Sequence, residues 1–141
     1  MPETILKNPC KLFSDGASRG NPGEAGAGSV LLDAAGQELA ARSLYLGQGT
    51  NNMAEYRALI LGLQSALELE CNQLEIFLDS QLIVRQIQGR YKVKHPTLKP
   101  LFTEAKGLLS QIENWSIDHV PREENKRADQ LANLGIDQRV Q

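Results

Sequence analysis

Four of the 17 acidic residues stand where carboxylates can do chemistry together. Asp15 closes a short strand-like run, Lys11–Ser14, and Asp79 closes another, Leu74–Leu78. Each run stops at a turn signal, Asp15-Gly16 and Asp79-Ser80. In an open α/β sheet, ligands bind at the carboxyl edge of the strands. If these two strands are parallel neighbours, the two aspartates lie side by side. Glu55 falls in the first turn of a long helical pattern, and Asp129 in the first turn of the last one. Both helix starts can present a carboxylate to the same edge. Converging carboxylates repel one another unless protonated or neutralised by a cation. Hard divalent ions such as Mg²⁺ take oxygen ligands and keep some water. Two of them about 4 Å apart can activate a water and stabilise a leaving oxygen in phosphoryl transfer. No Cys or multi-His cluster accompanies these carboxylates, which favours Mg²⁺ or Mn²⁺ over Zn²⁺. Each residue also has a plainer reading. Asp15-Gly16 makes an ordinary turn, Asn52-x-x-Glu55 a capping box, Asp79 a helix cap, and Asp129 a carboxylate favoured by the helix dipole.

The elements that would position these groups follow from patterning. After Lys11–Ser14, the stretch Arg19-Gly20-Asn21-Pro22-Gly23 is turn chemistry. Gly26–Leu32 and Glu38–Leu46 are β-like, and Asp33-Ala34-Ala35-Gly36 between them makes an antiparallel hairpin. A loop from Gly47 to Asn51 leads into a helix over Asn52–Leu69, where Leu59, Ile60, Leu63, Ala66 and Leu67 recur at helical spacing. Leu74–Leu78 is a strand. Gln81–Gln88 is a short helix closed by Gly89, and Leu98–Ile112 a long amphipathic one. Trp115–Val120 is a strand, and Asn125–Leu134 a helix stopped by Gly135. Three strands followed by strand–helix alternation predict an α/β fold, a mixed five-stranded sheet with helices on both faces.

The 141 residues read as a single domain over 1–141, with its core about residues 10–136. The chain is 41% hydrophobic and 23% charged, ordinary for a globular protein. No apolar stretch approaches the ~20 residues that span a bilayer, so no membrane association is expected. The start mixes Glu3, Lys7, Asn8 and Pro9 into its apolar residues and lacks a signal-peptide core. A cytoplasmic location is expected, and with it reduced thiols at Cys10 and Cys71, which form no metal motif. The net charge of −2 and pI of about 5.7 exclude binding of nucleic acid by global positive charge. They do not exclude binding through metal: adding the four charges of two divalent cations to −2 leaves +2.

At the carboxylates, four motifs resemble type 1 ribonuclease H: FSDGASRGNPG, GTNNMAEYRALILGL, IFLDSQLIV and HVPREENKRADQLANLG. The resemblance runs from about Lys11 to Leu134, and its specificity lies in the order and spacing of all four. It implies the ribonuclease H-like sheet order 3-2-1-4-5, with strand 2 antiparallel. It implies that Asp15, Glu55, Asp79 and Asp129 are the catalytic, metal-binding set. Asp15 would bridge two metals, Asp129 would hold the water-activating one, and Glu55 and Asp79 the one at the leaving oxygen. The implied activity is endonucleolytic cleavage of the RNA strand of RNA–DNA hybrids, leaving 5′-phosphate and 3′-hydroxyl ends. Backbone groups from Gly16 to Asn21, and Glu55, match positions that touch ribose hydroxyls. Asn21, Asn51, Asn52 and Gln81 match positions that meet bases or sugars across the minor groove. Thr50 matches a position that holds a DNA-strand phosphate, and Ser80 joins the substrate-binding set. The 2′-hydroxyl is what separates RNA from DNA at such a site. No protein partner is implied, and a monomer is expected.

The chain also departs from the family pattern. The path from His119 to Asp129 is short, so the glycine–histidine loop of many relatives is deleted. His119 is expected at the end of the last strand rather than in that loop's role. Arg122 is closer to the mouth of the site and is a candidate for phosphate contact. Gln48 stands where relatives often place Arg. Arg90, Tyr91, Lys92, Lys94 and His95 form only a short basic stretch, read as a solvated connection in place of a basic protrusion. Two other functions compete. A non-catalytic ribonuclease H-like module would have lost at least one carboxylate. Another nuclease of the superfamily fits less well with Thr50-Asn51-Asn52 and Asp79-Ser80-Gln81. Double-stranded RNA stays open as a second substrate. The glycines from Gly16 to Gly28 lack the Gly-Lys-Ser/Thr of a phosphate-binding loop.

Overall fold

The structure is a computed structural model that describes residues 7–140. The amino-terminal reading through Glu3 lies outside the described residues. Five strands form one sheet: β1 (Pro9–Gly20), β2 (Gly23–Asp33), β3 (Glu38–Gly49), β4 (Gln73–Leu78) and β5 (Asn114–His119). Their order is β3-β2-β1-β4-β5, with β2 antiparallel to both neighbours and β4 parallel to β1 and β5. The helices are α1 (Asn51–Glu68), α2 (Gln81–Ile87), α3 (Leu98–Leu109) and α4 (Lys126–Asp137). This is the predicted architecture and strand order. Among the described residues, no helix is long and apolar enough to cross a membrane.

The two faces of the sheet are covered unequally. Leu12, Leu31, Leu74, Ile76 and Leu78 bury against Leu59, Leu63, Ile83, Ile87 and Leu109 of α1, α2 and α3. On the other face α4 packs against β2, β3 and β1. It comes close because β2 carries glycine there: a Cβ on Gly28 would lie 2.4 Å from the Ala128 carbonyl oxygen.

Several boundaries differ from the sequence reading. Asp15-Gly16 is not a turn. β1 continues to Gly20 because β2 pairs with it along that whole length, and the turn falls at Asn21-Pro22. Residues 47–49 extend β3 rather than forming a loop. The cap of α1 is Thr50, whose hydroxyl accepts from the Met53 N–H at 3.2 Å, so Asn52 lies inside the helix and the Asn52–Glu55 capping box does not form. Glu55 accordingly sits in the second turn. Ser80, not Asp79, caps α2. Helix α3 stops at Leu109, with Ser110 as its cap, short of Ile112. Helix α4 runs through Gly135 to Asp137, because a glycine there lets it press on β3; a Cβ would meet the Leu44 carbonyl oxygen at 2.6 Å.

The expectation of two free thiols is also corrected. Cys10 at the start of β1 and Cys71 in the α1–β4 connection form a disulfide, with Cα atoms 6.0 Å apart. The parallel pairing of β1 with β4 draws these two points together, since Cys10 is the register partner of Leu74. The bond spans 61 residues, and a cross-link of that span stabilises a fold by about 4 kcal/mol through the unfolded chain. Reductant should therefore lower the urea midpoint of unfolding. A midpoint that does not move would show that the bond adds nothing.

Candidate active site

The site is built where β1 and β4 part. Their parallel ladder ends at Phe13↔Phe77, and Asp15 and Asp79 come two residues beyond it on each strand. Asp15 is register partner to Gly28, the glycine beneath α4, so it shares the face that α4 covers. Glu55 arrives from the opposite face on α1. The crossing is tight: a Cβ on Gly16 would lie 2.2 Å from the Ala54 carbonyl carbon. Glycine at 16 thus lets α1 touch β1, and the Gly16 N–H donates to Glu55 Oε1 at 2.9 Å. That donor is already engaged, so Gly16 serves to hold Glu55.

Three carboxylates converge. One oxygen each from Asp15, Glu55 and Asp79 lies within 4.8 Å of the others. Asp15 is 2% exposed and Glu55 7%. Asp15 Oδ2, Glu55 Oε2 and Asp79 Oδ2 are buried with no hydrogen-bond partner. Asp129, in the first turn of α4, stands outside this tight trio but reaches Asp15. Its Oδ1 accepts from Asn133 Nδ2 at 3.3 Å.

The electrostatics follow from this crowding. Burial pushes the Asp15 carboxyl far above the usual carboxylate range; the Glu55 hydrogen bond and charge, the Asp79 charge and Asp129 push it the same way. Burial also raises Glu55, to about 7, against the pull of the Asp15 and Gly16 hydrogen bonds and the Arg122 charge. Asp15 and Glu55 therefore hold their protons well above the usual carboxylate range when nothing else neutralises them. Buried, unpartnered oxygens that hold a proton are a mismatch in polar bookkeeping. A hard divalent cation resolves it, and an all-oxygen donor set suits one. Asp15, Glu55 and Asp79 would hold it, with Asp129 beside Asp15.

The remaining candidates divide. Asn21, Thr50 and Asn52 line one cavity of about 190 Å³ together with His95, Thr97 and Leu98. His95 and Thr97 were not foreseen as site residues. His95 belongs to the basic stretch read as a solvated connection, and only the fold of the α2–α3 connection carries it to Thr50. Asn21 Oδ1 also accepts from the Asn51 N–H at 3.2 Å, tying the β1–β2 turn to the start of α1. Ser80 is occupied as the α2 cap, accepting from the Ile83 N–H. Gln81 is exposed at the first position of α2. Arg122 lies exposed on a 3-10 turn, Arg122–Glu124, near enough to act on Glu55.

His119 is the last residue of β5, exposed and paired in register with Leu78. It is not among the converging groups. His119→Ala should keep turnover within about tenfold, short of the 10²–10⁴ that an acid–base group contributes. A thousandfold loss in a folded variant, with a flattened pH profile, would reassign it to the chemistry.

A largely buried carboxylate trio at the carboxyl edge of a mixed sheet, with a fourth acid on the helix behind, defines an α/β protein whose site could hold a metal ion. The "Reverse transcriptase-like" family model matches residues 13–135. A bifunctional protein of Mycobacterium tuberculosis is 45% identical over 129 residues, which are 91% of this chain and 35% of that protein. The chain thus spans about a third of the length of the mycobacterial relatives it matches. The ribonuclease H1 structure from Halobacterium salinarum is 42% identical, with a TM-score of 0.89 over 92% of this chain and 98% of that one. LC11-RNase H1, isolated from compost and solved with an RNA/DNA hybrid, is 43% identical, with a TM-score of 0.87 over 94% and 99% of the two chains. The chain belongs to the ribonuclease H family, in its type 1 branch.

Proposed function

We propose that this chain is an endonuclease that hydrolyses the RNA strand of RNA–DNA hybrids with two divalent cations, Mg²⁺ or alternatively Mn²⁺. The products in this reading carry 5′-phosphate and 3′-hydroxyl ends. The observation that carries it is the set of three buried, unpartnered carboxylate oxygens on Asp15, Glu55 and Asp79. Bound there, the cations supply an activated water and neutralise charge on the leaving oxygen.

The chain's own residues do the rest. Asp15, Glu55 and Asp79 fix the place of the reacting phosphate, and burial keeps bulk water from screening them. Asp129 completes the acidic set from α4. Thr50, Asn21 and Asn52 share their cavity with His95 and offer short polar groups to a sugar–phosphate backbone. Asn51, next to Thr50, and Gln81, at the start of α2, are both exposed and complete the minor-groove contacts in this reading. Arg122 meets phosphate at the mouth of the site. The hybrid substrate is supported by the LC11 relative, which is solved in complex with RNA/DNA hybrid.

Discrimination must come from these contacts, because the cations alone can hydrolyse any phosphodiester. A site built to pair with a hydroxyl leaves polar groups unmet when that hydroxyl is missing. The test is a DNA strand with a few consecutive ribonucleotides, paired with DNA. Cutting should be confined to the ribonucleotide stretch, and chelator should abolish it. Equal cutting of all-DNA duplex would replace this reading with a general nuclease, and binding without cutting would replace it with a non-catalytic module. Double-stranded RNA cut as fast as hybrid would widen the substrate class and remove the DNA-strand role of Thr50.

A further inference from the structure

Asn125 precedes α4, and its residue type is among the best helix N-caps. Its side chain does not cap. No side-chain bond from Asn125 reaches the first turn of α4. Its Nδ2 donates instead to the carbonyl oxygen of Ser14, 2.9 Å away across a sequence separation of 111 residues. Ser14 and Asn125 are both buried. The Asn125 carbonyl in turn accepts from the Asp129 N–H at 3.1 Å. One residue thus joins the β1 backbone, immediately before Asp15, to the amide of Asp129.

This arrangement is costly. The helix gives up a side-chain cap, and Asn125 Oδ1 is buried with no partner. Ser or Thr at this position would strand no amide oxygen. What they lack is a donor long enough to reach Ser14. That carbonyl also lies one residue past the last β1–β4 pair, Phe13↔Phe77, where the sheet has begun to open. The amide therefore ties α4 to β1 at the point where the acidic residues converge.

We propose that Asn125 is a positioning residue that sets the separation of Asp15 and Asp129, and with it the affinity for the cation that Asp129 helps to hold. The activity arm of the test rests on the nuclease reading; the cation-binding arm does not. Groups that orient metal ligands from behind typically change metal affinity or activity by about 10–100-fold when removed.

The decisive variant is Asn125→Ser, which cuts the tie to Ser14 and removes the orphaned amide oxygen; Asn125→Thr serves the same purpose should the first not fold. The variant should still unfold cooperatively without metal, at a midpoint somewhat below the parent's, because the buried Ser14 carbonyl loses its donor. Mn²⁺ affinity by calorimetry should fall about tenfold or more. The Mg²⁺ concentration for half-maximal hybrid cleavage should rise in parallel, with KM for hybrid unchanged. In an Asp129→Asn background the same substitution should leave Mn²⁺ affinity unaltered, because its effect passes through Asp129. Parent-like Mn²⁺ affinity in the folded Ser or Thr variant overturns the proposal, as does an equal loss with and without Asp129. A parent protein that binds Mn²⁺ in this pattern yet cuts no hybrid would leave the positioning role standing and overturn the nuclease reading alone.

Discussion

Asp15→Asn is expected to remove a thousandfold or more of hybrid-cleaving turnover while leaving the fold standing. Asp15 is the hub of the acidic set: Glu55, Asp79 and Asp129 all act on its carboxyl. Asp15 belongs to the tight trio and also reaches Asp129. A carboxylate in that position contributes several kcal/mol to transition-state stabilisation, and each ~1.4 kcal/mol is a factor of ten in rate. Folding should not suffer. An amide keeps the size and polarity of the side chain and removes one source of repulsion at a 2% exposed position. The measurement is turnover in Mg²⁺, beside a circular dichroism spectrum and a thermal midpoint taken without metal. The metal-free midpoint of the variant at neutral pH should equal or exceed that of the parent. Turnover within tenfold of the parent, in a folded variant, would remove Asp15 from the centre of the chemistry.

The acidic trio was legible in apolar runs and a helix start, although Asp15 lies inside β1 and Glu55 in the second turn of α1. Asp15 and Asp79 follow apolar runs of strand length, and those runs proved to be parallel neighbours with the aspartates just past their last pair. What could not be read was the choice among local options that tertiary contacts decide. Thr50, Asn51 and Asn52 are all cap-competent residues. The cap falls on Thr50, and the next residue's N–H is held by Asn21 Oδ1 from the distant β1–β2 turn. Asp15-Gly16 has the chemistry of a turn but is held extended by its pairing with Gly28 and Ala27. Asn125 has the chemistry of a cap, yet its amide is claimed by Ser14. His95 looked like part of a solvated connection until the fold set it in the cavity with Thr50. The two cysteines, 61 residues apart, carried no local sign of pairing; strand register brings them together.

Cation affinity should climb steeply with pH, and the stability of the metal-free protein should fall over the same range. Both follow from the raised carboxyls of Asp15 and Glu55, whose first cause is burial. An unfolded chain releases these protons near pH 4. The folded, metal-free chain holds them to higher pH, Glu55 to about 7 and Asp15 beyond the ordinary carboxylate range. Between those limits the folded state binds more protons than the unfolded one, so stability is greatest below about pH 4 as far as these two groups are concerned, and declines as pH rises. The Glu38 carboxyl, lowered by its hydrogen bond to Arg127, contributes in the opposite sense. The contribution of the pair is therefore isolated by comparing the parent with Asp15→Asn across pH 4–8: the difference in midpoint should grow in favour of the variant. A cation competes for the same oxygens and must displace the protons to bind. Displacing one proton gives up to about a tenfold gain in affinity per pH unit, and displacing two up to about a hundredfold. Mn²⁺ titrations by calorimetry in two buffers of different ionisation enthalpy count the protons directly. Release of one to two protons near pH 6, fading at higher pH as Glu55 ionises unaided, is the expected result. Binding with no proton release and no pH dependence would mean that Asp15 and Glu55 are already ionised in the free protein, and that the neutralising charge comes from the protein itself, with Arg122, whose charge acts on Glu55, a source.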